Sequence, residues 1–301
     1  MTPHFGIIVI GDEILSGKRA DKHLPKIIEL LAARGLPLAY AEYVGDDPER
    51  ITATLARAFA AARASGDVVF STGGIGATPD DHTRQCAARA LGVGLALHPE
   101  AKRLIEERIR DTAKEQGTVV PDKHDNLHRL NMGVFPVGAE IIPNPYNKIP
   151  GFSCFVEPGE VGRRDGPPQA RPVPSGGSDS HAVGERGGIH FVPGFPVMAW
   201  PMVEWVLDQH YSHLHQKSAF IEKSVIVMGS MEAALTPLML AIEAEHAGVK
   251  VFSLPSVDHP EYGRHIELGV KGPVEAVSLA YPALLSGLHQ FNLRLGPELV
   301  R

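Results

Sequence analysis

A strand that runs straight into a glycine-rich loop and then into paired acids constrains this fold more than any other feature. The segment is Asp67–Thr83, D-V-V-F-S-T-G-G-I-G-A-T-P-D-D-H-T. Val68, Val69 and Phe70 form a short apolar, β-favouring run bounded by turn residues, the pattern of a parallel strand covered on both faces. Gly73, Gly74 and Gly76 permit φ > 0 and let backbone N–H groups approach a ligand closely. Thr78-Pro79-Asp80-Asp81 predicts a helix start, with Thr78 as N-cap and Pro79 at the first helical position. Such a loop aims unpaired donors at whatever sits over the strand end, which is how α/β proteins hold phosphates. Asp80 and Asp81 fit two readings equally. They cap the helix, at roughly 0.3–1 kcal/mol each, or they hold a divalent cation such as Mg²⁺ together with substrate phosphates.

The first half of the chain repeats the alternation of strand and helix. Phe5–Ile10 reads as a buried strand, His23–Arg34 as a helix, Leu36–Val44 as a strand, and Glu49–Ala64 as an alanine-rich helix opened by Pro48. The Val68 strand follows, then helices over Asp80–Leu91 and Pro99–Thr112. This order implies right-handed crossovers and a three-layer, doubly wound, mainly parallel α/β sheet. Strands are expected at Phe152–Glu157 and Gly188–Val192, and a helix at Val197–Gln209. Between those strands, residues 158–188 are dense in Gly, Pro, Ser and Arg, the composition of a mobile insertion. A boundary near His215–Ala219 would separate domain 1–215 from a small α/β domain, 216–301. The latter reads as strand (Glu222–Val227), helix (Met231–Ala247), two strands (Val249–Leu254, His265–Val270) and helix (Pro273–Leu293).

Composition narrows the function classes. Of 301 residues 44% are hydrophobic and 21% charged, as in ordinary globular proteins. A net charge of −6 leaves no basic footprint for nucleic acid. Apolar runs fall far short of a membrane span. Met1–Phe5 leads directly into the first strand with no room for a signal peptide, and Cys86 and Cys154 are far apart with no C-x-x-C. The expectation is a reduced, cytoplasmic protein with no membrane or nucleic-acid partner.

Two further turns should share the sheet edge of the opening loop. Gly11-Asp12-Glu13 follows the first strand and Asp46-Asp47 the second, and ligands of open α/β sheets bind outside the carboxyl ends of the strands. Each acid taken singly is as readily a helix cap, Asp47 before Pro48 above all. Together they repel one another unless a cation sits among them. Lys148, in the turn after Asn144-Pro145, suits a phosphate or ribose contact as well as a solvated position. The histidines carry less. His210, His213 and His215 read as a solvated helix exit, and His124 with His128 lacks a third zinc ligand at motif spacing. No Ser-His-Asp set, Cys-His set or G-x-S-x-G elbow supports covalent catalysis.

Gly11-Asp12-Glu13-Ile14-Leu15-Ser16-Gly17, Val44-Gly45-Asp46-Asp47, Thr72 through Thr83, and Asn144-Pro145 through Phe152 with Pro193-Gly194-Phe195-Pro196, in this order, resemble the molybdopterin-binding domain family. The closer likeness is to the N-terminal domain of the competence/damage-inducible CinA proteins, without their deamidase domain. The resemblance covers about residues 5–210 outside the insertion. It implies a MoaB/Mog-like fold that binds molybdopterin or a nucleotide pyrophosphate with a divalent cation, Mg²⁺ being expected. It further implies a dimer or trimer, and a KH-like character for the C-terminal unit. Relatives of this kind attach AMP to molybdopterin, hydrolyse ADP-ribose, or are fused to FAD synthase. By matched position Asp46 and Asp81 would be the acids at the phosphoryl chemistry. Gly11, Asp12, Glu13, Thr72, Gly73, Gly74, Gly76, Thr78, Asp80, Asn144 and Lys148 would contact the ligand, and Asp81, Asp80 and Asp12 the metal. The first reading is therefore a nucleotide pyrophosphatase; the alternatives are a molybdopterin adenylyltransferase and a non-catalytic pterin- or nucleotide-binding protein. This chain departs from its relatives at Asp21-Lys22-His23, where Asn-Thr-Asn is usual, and at Asn147-Lys148-Ile149, whose bulk is expected to narrow the pocket.

Overall fold

The computed structural model describes residues 3–117, 128–157, 186–215 and 220–301. The expected insertion lies outside the described residues up to position 185, as does His124. The chain divides into two units, Met1–His215 and Gln216–Arg301.

The first unit is built on a six-stranded sheet in the order β2-β1-β3-β8-β7-β6. These strands are β1 (Phe5–Ile10), β2 (Leu38–Val44), β3 (Val68–Thr72), β6 (Glu140–Ile142), β7 (Gly151–Val156) and β8 (Gly187–Val192). The pairs among β2, β1, β3 and β8 are parallel, while β7 and β6 add an antiparallel edge. A short antiparallel pair, β4 (Leu95–Leu97) with β5 (Val134–Pro136), stands apart from that sheet. The helices are α1 (Asp12–Leu15), α2 (His23–Ala32), α3 (Pro48–Ser65), α4 (Thr83–Leu91), α5 (Pro99–Glu115) and α6 (Pro196–His210).

The period-two geometry of a strand makes three layers of this. Along β1, Ile8 and Ile10 pack with Ile51, Leu55 and Phe59 of α3, while Phe5, Ile7 and Val9 pack with Ile27 of α2 and Met202 and Val206 of α6. A strand buried on both faces is mostly apolar, which is why β1 reads as a continuous run and β3 opens with one, Val68–Phe70. Polar groups also sit inside this core. His190 of β8 bridges the Ser153 hydroxyl and the Tyr211 hydroxyl, at 2.8 Å each. Burial, and then neighbouring His210, push it down to about 3, so it is neutral at ordinary pH. His210 is correspondingly half-buried against Phe155 and Trp205, with ring centroids 5.1 and 5.4 Å away, and does not form the solvated exit its spacing suggests.

The second unit has the order β9 (Phe220–Met228), α7 (Glu232–Glu245), β10 (Lys250–His259), β11 (Gly263–Pro273), α8 (Val274–His289) and β12 (Arg294–Val300). Its antiparallel sheet runs β10-β11-β9-β12. Where the resemblance implies a KH-like unit, this β-α-β-β-α-β succession is the split βαβ arrangement of ferredoxin-like folds. The expected final helix to Leu293 stops at His289. Asn292 takes a left-handed φ of 51° in the turn that follows, and β12 closes the sheet. Val225, Val227, Leu268 and Val270 form its core with Leu235 of α7 and Val277 and Leu284 of α8.

Candidate functional site

Parallel pairing brings the carboxyl ends of β1, β2, β3 and β8 to one edge: Ile10 pairs with Val44, Val9 with Thr72, and Thr72 with Val192. The loops that follow continue the ladder before they diverge. Gly11 N donates to Val44 O at 3.0 Å, and Gly73 N donates to Val192 O at 3.1 Å. Over this edge lies a cavity of about 400 Å³.

The glycine loop forms its floor. Gly73 has φ 98°, and a Cβ there would stand 2.2 Å from the Ile10 carbonyl oxygen; Gly74 has φ 66°, and a Cβ would stand 2.1 Å from Thr83 Oγ1. No side chain fits either position. The loop is tied from behind: Thr83 N donates to Gly74 O, Thr83 Oγ1 to Gly73 O, and the guanidinium of Arg84 to Ile75 O at 2.8 Å. Arg84 is itself buried, and burial pulls its pKa below the usual value while the charge of Asp81 acts the other way.

The helix start expected at Thr78 is displaced. α4 begins at Thr83, and residues 75–82 form turns. The cap geometry runs in reverse: Thr78 N and Thr78 Oγ1 both donate to Asp81 Oδ2, so the acid organises the threonine. Gly76 makes room for that carboxylate, since a Cβ there would lie 2.7 Å from Asp81 Oδ2.

Asp12 and Asp46 lock together across the edge. Asp12 N donates to Asp46 Oδ2 at 2.8 Å, and Asp46 N donates to Asp12 Oδ1 at 3.1 Å. Burial raises the Asp46 carboxyl above the usual carboxylate range; the Asp12 N–H opposes this, and the charges of Asp12, Glu13 and Asp80 add to it. Asp47, by contrast, is spent as the N-cap of α3, accepting from Arg50 N at 2.8 Å.

Of the residues expected at the site, Gly11, Glu13, Asp46, Gly73, Gly74, Gly76, Thr78, Asp80, Asp81 and Asn144 line the cavity. Asp12, Thr72 and Lys148 do not. Asp12 faces Asp46, and Thr72 is buried at the end of β3. Lys148 donates to Glu107 and, at 2.7 Å, to Asp111; these two carboxylates raise its pKa, so it serves as a tie to α5. Among the described residues no three His, Cys, Asp or Glu side chains gather as a metal-holding group. Asn144 is buried and builds its own turn, its amide donating to Ile149 O and its Oδ1 accepting from Tyr146 N. Asn147 and Ile149 line the cavity and leave it open. Asp21, at the departure from Asn-Thr-Asn, caps α2 by accepting from His23 N and Leu24 N. His23 then reaches Gly194 O at 3.1 Å and pins the Pro193–Phe195 loop over the glycine loop. Sequence reasoning missed Arg19, which lines the cavity, and the apolar wall of Met132, Pro150, Phe195 and Met198.

Residues 6–213 match the model of the family described as "probable molybdopterin binding domain". The chain belongs to the molybdopterin-binding domain family. A CinA-like protein of Anaeromyxobacter dehalogenans is 34% identical over 155 residues, which is 52% of this chain and 35% of that protein. The chain therefore spans about a third of such relatives. A protein of Pyrobaculum calidifontis is 26% identical over 281 residues, 92% of each chain. The crystal structure of CinA from Thermoplasma acidophilum covers 69% of this chain and 98% of its own, with a TM-score of 0.50 at 21% identity, a likeness of fold. No helix among the described residues of this family member is long and apolar enough to cross a membrane.

Proposed function

We propose that this molybdopterin-binding-family chain holds a nucleotide or pterin pyrophosphate in the cavity and hydrolyses the pyrophosphate with the help of a divalent cation. The observation that carries the reading is the pairing of floor and wall. A loop whose glycines admit no side chain exposes backbone to the cavity, and beside it stands Asp46, its carboxyl raised by burial and by the charges of Asp12, Glu13 and Asp80. Backbone N–H groups suit phosphate oxygens. The apolar wall at Met132, Pro150, Phe195 and Met198 suits a flat ring, nucleobase or pterin. Excess negative charge around Asp46 suits a cation, and Mg²⁺ is commonly held by one or two carboxylates plus substrate phosphates. Asp80 and Asp81 are the residues that would hold it, with phosphate oxygens of the ligand completing the site. When bound, such a cation supplies charge neutralisation to the pyrophosphate.

The protein's own residues then have separable tasks. Gly73–Gly76 orients the pyrophosphate, and Arg84 keeps that loop in place from beneath. Asp46, its carboxyl raised above the usual range chiefly by burial, takes a proton from the attacking water. In ADP-ribose a water oxygen bonds to one phosphorus while the bridging P–O bond breaks, giving AMP and ribose 5-phosphate. Incubation with Mg²⁺ and ADP-ribose should release AMP. Asp81→Asn keeps the acceptor for Thr78 but removes the charge, and should lower the rate about a hundredfold with the fold intact. Unchanged turnover in that variant would remove Asp81 from the mechanism. Tight binding by the wild type without AMP release would favour a protein that only holds its ligand.

A further inference from the structure

The cavity walls carry four carboxylates, Glu13, Asp46, Asp80 and Asp81, and one basic side chain, Arg19. Arg19 is held by its backbone: Arg19 N donates to Glu13 O at 2.9 Å, after Gly17 has turned the chain with a φ of 72°. Its side chain is exposed, and among the described residues it makes no ion pair, although acids line the same cavity. The other basic groups nearby are committed. Arg84 lies under the loop on Ile75 O, and Lys148 is shared between Glu107 and Asp111.

We infer that Arg19 is the specificity-determining anion contact of this cavity, binding a phosphate of the ligand. The inference rests on the proposed function and deepens it. A guanidinium presents a planar fork of donors that matches two phosphate oxygens at once. A cation alone would be repelled by Arg19, and a neutral ring would make no use of it. What satisfies the acidic wall and Arg19 together is a phosphorylated ligand that arrives with a divalent cation. Arg19 thus discriminates by ligand charge, while the apolar wall accepts the ring.

The test is titration of wild type and Arg19→Met with ADP and Mg²⁺, at low and at high salt, with thermal melts of both proteins. The expected result is a loss of ADP affinity of roughly tenfold to a hundredfold at low salt. The gap should narrow at high salt, and Tm should stay unchanged. Equal affinities in the two proteins would overturn the assignment of Arg19 while leaving the site reading intact. So would a salt-independent loss accompanied by a lower Tm, which marks a structural role. A wild type that binds no ADP would overturn the reading of the cavity and this inference with it.

Discussion

Asp46 carries a cost that the fold accepts for the sake of the site. A carboxyl whose pKa is higher folded than unfolded binds its proton more readily in the folded state. Its ionised form therefore destabilises the fold. That cost is absent below the unfolded value, grows as the pH passes through the folded value, and is complete at neutral pH. Asp46→Asn retains an oxygen to accept from Asp12 N, so it removes the charge and keeps the lock. Melts should show Tm raised by about 1–3 °C at neutral pH, with no gain in acid below the carboxylate range, while AMP release falls. A lower Tm at neutral pH would contradict the electrostatic account. Much at this scale was legible in advance. Gly73 and Gly74 follow from the need for φ > 0, Gly76 from close approach, and Asp46 and Asp81 from their place after strands. Arg19 and Arg84 were not, because an exposed arginine and a buried one look alike until tertiary contacts separate them.

At the scale of elements, the 144–149 turn shows how a plausible ligand contact becomes a brace. Asn144 and Asn147 organise the turn through side-chain amides, and Lys148, at φ 63°, directs its ammonium to α5. Exposed ion pairs contribute about 0–1 kcal/mol. Lys148→Met should accordingly lower Tm slightly and leave ADP affinity within twofold of wild type; a tenfold loss of affinity would return Lys148 to the ligand. Buried strands and long amphipathic helices were readable because burial on both faces leaves continuous apolar runs and one-sided burial leaves a stripe. The start of α4 was not, since Thr78-Pro79 has the chemistry of a cap yet Asp81 draws the threonine into a turn. Short β4 and β5 have too few residues for a period to register. In Arg294–Val300, glycine and proline interrupt the strand pattern, which hid β12.

Over the whole molecule, alternation of strand and helix placed the site, since parallel strands must present their carboxyl ends together. Composition left no basic footprint for nucleic acid and had nothing to say about the ligand. Family membership supports a pterin- or nucleotide-related ligand. In the proposed pose a pyrophosphate lies on the backbone of Gly73–Gly76. Amide NMR during titration with ADP and Mg²⁺ tests it directly. The amide resonances of Gly73, Gly74 and Gly76 should shift saturably while those of residues 220–301 stay still. Glycine-loop amides that do not move, or shifts confined to the C-terminal unit, would contradict it.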